Sequence, residues 1–172
     1  WCRFGTQASM AMGVKLEQAC WGSWTPHKFK MAVSGCPRNC AEATIKDFGV
    51  VAVESGWELH IGGNGGVKVR ATDLLCKVEN EEEVLEYCNA FLQLYREEAH
   101  YLDRTARWLE RTGLSYVKQR IVEDEAGRKA LAGRFLHSQR FAQQDPWKER
   151  AENTERPAAA HEFTPLKMVV GR

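Results

Sequence analysis

Between Leu85 and Leu109 the residues Leu85, Cys88, Leu92, Tyr95, Ala99, Leu102, Ala106 and Leu109 recur at alternating steps of three and four. That spacing puts one apolar stripe along a helix and predicts a single long helix from about residue 81. Glu81, Glu82 and Glu83 suit its first turn, where negative charge meets the positive end of the helix dipole. Gly113 suits its end. A stripe of this length has to be covered by another layer, so the rest of the chain must supply one.

Upstream, the periodicity changes to two. In "TPHKFKMAVSG" Phe29, Met31 and Val33 alternate with Lys28, Lys30 and Ala32, which predicts a strand. "PRNCAEATIKDFG" reads as a short helix stopped by Gly49. "VVAVE" and "WELHIGG" read as strands joined at "SGW". "GGNGG", residues 62–66, reads as a loop, and "VKVRA" as a short fourth strand. Residues 1 to about 24 read as helical up to "WGSW". Beyond Gly113, "LSYVKQRIVEDE" and "AGRKALAGRFLHSQRFAQQ" read as two further helices. The expected fold class is α+β: a small mixed sheet with covering helices, followed by a helical C-terminal region. The expected divisions are an α+β region over residues 1–78, a helical region over 79–145 and an extended tail over 146–172. Pro interrupts that tail, and Trp147 and Phe163 are its expected surface anchors.

The net charge is +1 over 172 residues, so no global field draws the chain toward nucleic acid or a membrane surface. No apolar run reaches the length of a transmembrane helix, and the N-terminus has no signal-peptide core. The chain begins at Trp1 rather than Met, which reads as a piece processed or cut from something longer.

Six cysteines in such a chain favour metal or cofactor ligation over a disulfide framework. In "VSGCPRNCAEA", Cys36 and Cys40 lie four apart. With Cys36 as N-cap and Pro37 at the first helical position, both sulfurs would share one face at a helix N-terminus, where thiolate is favoured. Several readings remain open on spacing alone. The pair can be small buried hydrophobes. Zinc lacks a matching second half. A C-x3-C-x2-C radical site is excluded, because position 43 is alanine. An iron–sulfur cluster needs four thiolates, for which Cys2, in "WCRFGTQ", is the best third candidate. Cys20, Cys76 and Cys88 read as packing residues, Cys88 because it lies within the apolar stripe.

Taken together, "WCRFGTQ", "TPHKFKMAVSGCPRNCAEATIKDFGVVAVESGWELHIGGNGGVKVR", "LLCKV", "YREEAHYLDRTARWLER" and "HEFTP" resemble the siroheme and 4Fe-4S domain of assimilatory nitrite and sulfite reductases. The resemblance is strongest to the large subunits of NAD(P)H-dependent nitrite reductases. It implies a 4Fe-4S cluster and siroheme, half of a siroheme domain in this chain, and nitrite as the parent enzyme's substrate. It implies that Cys2, Cys36 and Cys40 are cluster ligands and that Cys40 also bridges to the siroheme iron. Cys2 would be the second member of a C-x5-C pair whose first member precedes Trp1, so this chain alone would not complete the site. FAD and NAD(P)H would belong to upstream domains of the parent and not to this chain. Those domains are the implied partners, with a small reductase subunit as a further candidate, and the implied location is cytoplasmic.

Arg38 and Asn39, inside the cysteine loop, and Asn64, in the glycine loop, are the candidate contacts to the tetrapyrrole. Lys68, Arg70, His27 and His60 are weighed as surface or core residues rather than ligands. "GGNGG" leads into a strand rather than a helix, so it is no dinucleotide fingerprint. A sulfite reductase shares the cysteine pattern and is the rival enzyme. A non-enzymatic iron–sulfur redox module is the rival of another class, but no basic helix-turn-helix accompanies the cysteines.

Overall fold

The computed structural model describes residues 2–142 and Glu152. Apart from Glu152, the expected tail over 146–172, with Trp147 and Phe163, lies outside the described residues.

A strap over residues 2–8 leads into α1 (Ser9–Cys20). Four strands form the main sheet: β1 (Met31–Ser34), β2 (Phe48–Val53), β3 (Gly56–Ile61) and a fourth that follows a small hairpin. That hairpin pairs β4 (Asn64–Gly65) with β5 (Val69–Arg70). The fourth strand of the main sheet is therefore β6 (Asp73–Val78), and "VKVRA" belongs to the separate two-stranded unit. The sheet order is β1-β2-β3-β6. β1 runs parallel to β2, and the other neighbours are antiparallel, with a register shift between Leu59 and His60 against β6. The expected mixed sheet is present, and its parallel pair needs the crossover that the cysteine segment provides.

The long helix predicted from the stripe is two. α2 (Glu81–Glu98) is opened by a capping box: the Asn80 side chain accepts from the Glu83 N–H, and the Glu83 carboxylate accepts from the Asn80 N–H. α3 (Thr105–Thr112) follows after a corner. At that corner Leu102 has φ 67° and is exposed, as is Tyr101. Three bonds hold this corner against helix propensity. The Leu102 N–H donates to the Pro26 carbonyl at 3.0 Å, the Asp103 N–H donates to His100 O, and the Tyr95 hydroxyl donates to Asp103 O. Turning the chain carries Ala106, Trp108 and Leu109 back into the core, so the stripe is buried on both sides of the break.

Gly113 closes α3 as expected, with φ 87° and its N–H on Leu109 O. α4 (Leu114–Lys118) runs into a π-helical turn over Gln119–Glu123, and α5 (Glu125–Gln139) packs on α2. The ion pairs Arg128–Glu86 and Arg134–Glu97 join those two helices. One continuous core runs from Met12 and Leu16 of α1, through Phe48, Val50 and Leu59 of the sheet, to Phe91 and Trp108, and on to Phe135 of α5. It passes across residue 78, so the composition change there is not a break in packing. Among the described residues no helix is long and apolar enough to cross a membrane.

Candidate metal centre

The segment expected to be a helix after Cys36 is not one. Residues 35–42 form successive turns, followed by a single 3₁₀ turn over Ala43–Ile45. Asn39 and Glu42 both have φ 55°, a left-handed conformation that interrupts an α-helix. The loop is therefore held by side chains. The carboxamide of Asn39 lies at its centre. Asn39 Oδ1 accepts from the Ser34 hydroxyl at 3.0 Å and from the Ala43 N–H at 2.7 Å, and its Nδ2 donates to the Thr44 hydroxyl at 2.6 Å. The helix-dipole argument for thiolate at Cys36 and Cys40 falls with the helix.

Cys2 likewise does not start a helix. The Gly5 N–H donates to Cys2 O at 2.9 Å in a turn, and the strap then docks on the cysteine loop: the Thr6 N–H donates to Gly35 O at 2.8 Å. Gln7 Nε2 donates to Val53 O at 3.1 Å and fixes the strap to the end of β2. The strap and the loop also meet at Phe4, whose ring carries the guanidinium of Arg38 at 4.2 Å and that of Arg3 at 4.8 Å. Nothing in the sequence flagged Phe4; its only signal is its place two residues after Cys2.

The consequence is a cleft of about 450 Å³ lined by Cys2, Cys36 and Cys40 together with Gly5, Ser9 and Gly35. Cys36 is buried, and Cys2 and Cys40 are exposed. All three are free thiols. Among the described residues no three His, Cys, Asp or Glu side chains close on a single metal ion. The cleft's three thiols are an all-sulfur donor set, which suits iron–sulfur chemistry. The other three thiols lie elsewhere. Cys20 and Cys88 are buried in the core, where the Cys20 contact and burial raise the Cys88 thiol. Burial pushes Cys76 up to about 11.

The glycine loop is packed against the far end of the cysteine segment. The Gly62 N–H donates to Asp47 O at 3.0 Å and the Gly63 N–H to Lys46 O at 2.9 Å. A Cβ at Gly63 would stand 2.5 Å from Lys46 O, so the close approach these glycines permit is to the chain itself. Asn64 Nδ2 donates to Lys68 O at 2.6 Å within its own hairpin. Arg70 is tied to Gly62 O and Asp73. Asp47, fully buried, anchors the whole corner: it accepts from the Lys30 N–H, from Arg104 through two nitrogens, and from the Thr105 hydroxyl.

A mixed sheet covered by helices, with three thiols lining one cleft, is an arrangement that suits a thiolate-ligated redox domain. A family model, "Nitrite and sulphite reductase 4Fe-4S domain", matches residues 4–130. The nitrite reductase [NAD(P)H] of Bacillus subtilis is 57% identical over 152 residues, 88% of this chain and 19% of its own length. The nitrite reductase (NADH) large subunit of Escherichia coli is 45% identical over 76% of this chain and 16% of its own. An assimilatory-type sulfite reductase of Nitratidesulfovibrio vulgaris is 34% identical over 70% of this chain and 56% of its own. The solved Mycobacterium tuberculosis NirA protein shares the fold, with a TM-score of 0.59 at 17% identity over 79% of this chain and 25% of its own. This chain belongs to the nitrite and sulphite reductase 4Fe-4S domain family, and an iron–sulfur cofactor goes with it. It spans less than a fifth of the two nitrite reductase relatives.

Proposed function

We propose that this chain is the cluster- and siroheme-binding part of the large subunit of a cytoplasmic, NAD(P)H-dependent nitrite reductase that forms ammonium. The observation that carries this reading is the convergence of Cys2, Cys36 and Cys40 on one cleft from a strap and a loop far apart in sequence. When bound, the cluster and siroheme supply the electron transfer and the iron at which nitrite is reduced. The chain's own residues do the holding. Cys2, Cys36 and Cys40 would supply three thiolates, and Cys40, which is exposed, would also serve the tetrapyrrole iron. The fourth thiolate comes from outside the chain's 172 residues, because Cys20, Cys76 and Cys88 belong to other surroundings.

Arg38 is exposed beside Cys36 and Cys40 and is the loop's candidate for the tetrapyrrole carboxylates. Asn64 is a weaker candidate, since it has one amide bond inside its own hairpin. The strap and loop, joined at Gly35 and Phe4, line the cleft together, and upstream domains of the same subunit would complete it. Those domains would carry FAD and NAD(P)H, and a small reductase subunit is the further proposed partner.

The test is made on the full-length protein. Wild type is expected to contain iron and acid-labile sulfide, to show a siroheme absorbance, and to prefer nitrite to sulfite in kcat/KM. Cys2→Ser, Cys36→Ser and Cys40→Ser are each expected to lose cluster iron. Full cluster content in all three would sink the ligand assignment, and a preference for sulfite would favour the sulfite reductase reading that the 34% relative represents.

A further inference from the structure

Asn39 sits between the two cysteines of the loop, and every polar group it has is engaged inward. Its N–H donates to Cys36 O at 3.1 Å and its carbonyl accepts from the Glu42 N–H at 2.9 Å. Its side chain spans from the end of β1 at Ser34 to the 3₁₀ turn at Ala43 and Thr44. Ser34 and Ala43 are themselves almost fully buried, at 1% and 0% exposure, so neither can take water in its place. The left-handed backbone at φ 55° is one that asparagine adopts more readily than other side chains. No α-helix supports this loop, so its shape rests on these bonds together with the strap's bond from Thr6 to Gly35.

Resting on the reading that Cys36 and Cys40 hold the cluster, we infer that Asn39 is a positioning residue. It sets the two sulfurs in their places before a cluster arrives, and it is not a contact to the tetrapyrrole. Side chains that orient metal ligands characteristically change metal affinity by about 10–100-fold when removed, without touching the metal.

The variants separate backbone from side chain. Asn39→Gly keeps the left-handed conformation but drops all three side-chain bonds. Asn39→Asp keeps an oxygen for Ser34 and Ala43, and the Thr44 hydroxyl can reverse to donate to the second carboxylate oxygen. In the full-length protein, iron and sulfide content, the EPR line shape of the reduced cluster and the rate of iron loss to a chelator are measured for each. Asn39→Gly is expected to lose iron roughly tenfold faster or more, with an altered EPR line shape. Asn39→Asp is expected to restore both. Unchanged EPR and chelator rates in Asn39→Gly would overturn the inference, whether its melting temperature fell or its siroheme absorbance was lost. So would an Asn39→Asp variant as damaged as the glycine one. A wild-type protein with no iron or sulfide would instead remove the cluster reading itself.

Discussion

Replacing Asp47 with alanine removes the acceptor for four donor atoms at the corner where the cysteine segment, the glycine loop and α3 meet. Asp47 is fully buried, while the Arg104 side chain keeps 18% of its exposure. Deleting one partner of a buried ion pair costs roughly 3–5 kcal/mol, because the other charge is left uncompensated. Partial access of water to Arg104 argues for the lower half of that range, about 3–4 kcal/mol. For a chain of this size each kcal/mol lowers the melting temperature by roughly 2–4 °C, so Asp47→Ala is expected to melt about 6–16 °C below wild type. The assays are thermal and urea unfolding followed by circular dichroism, on Asp47→Ala, Arg104→Ala and the double variant. The Arg104 guanidinium meets the carboxylate through Nη2 at 2.6 Å and Nε at 3.3 Å, so the double variant should cost clearly less than the two singles combined. Additive costs within about 0.5 kcal/mol would refute the argument that this pair is a single energetic unit.

The remaining predictions concern sterics, protons and thiols. A Cβ at Gly49 would stand 2.0 Å from Ala43 O, a backbone atom, so Gly49→Ala must move the 3₁₀ turn off β2. A loss of roughly 1–3 kcal/mol or more is expected by denaturant unfolding, together with weaker cluster retention in the full-length protein. Burial holds the His60 imidazole below its ordinary value of 6.5, outweighing the Glu58 carboxylate 3.6 Å from its Nε2, which acts in the opposite direction. The unfolded chain then binds the proton first, so stability falls as pH drops from about 6.5 toward the folded value. His60→Gln should flatten that part of the stability–pH curve, and an unchanged slope would count against it. Iodoacetamide at pH 8 should label the exposed Cys2 and Cys40 well before Cys76, which burial pushes up to about 11, and before the buried Cys20 and Cys88. Peptide mass mapping of the cluster-free chain reads that order.

Much of this protein is determined by its sequence alone. The alternation of Phe29, Met31 and Val33, the "SGW" turn and the apolar stripe from Leu85 to Leu109 are local patterns, and they lead to the α+β class and to the faces that become the core. The cysteine spacings, with the strings around them, carry the resemblance to the nitrite and sulphite reductase 4Fe-4S domain family to which the chain belongs. Tertiary structure alone decided three things. It split the stripe into α2 and α3, because the bonds from Leu102 to Pro26 and from Tyr95 to Asp103 join residues far apart in sequence or across the corner. It replaced the helix expected after Cys36 with a loop held by Asn39, whose partners lie on two different elements. It brought Cys2 to Cys36 and Cys40 through the bond from Thr6 to Gly35 and the shared ring of Phe4. The physical reason is common to all three: periodicity reports which face a segment buries, but a bond between distant residues becomes available only after the chain has folded back on itself.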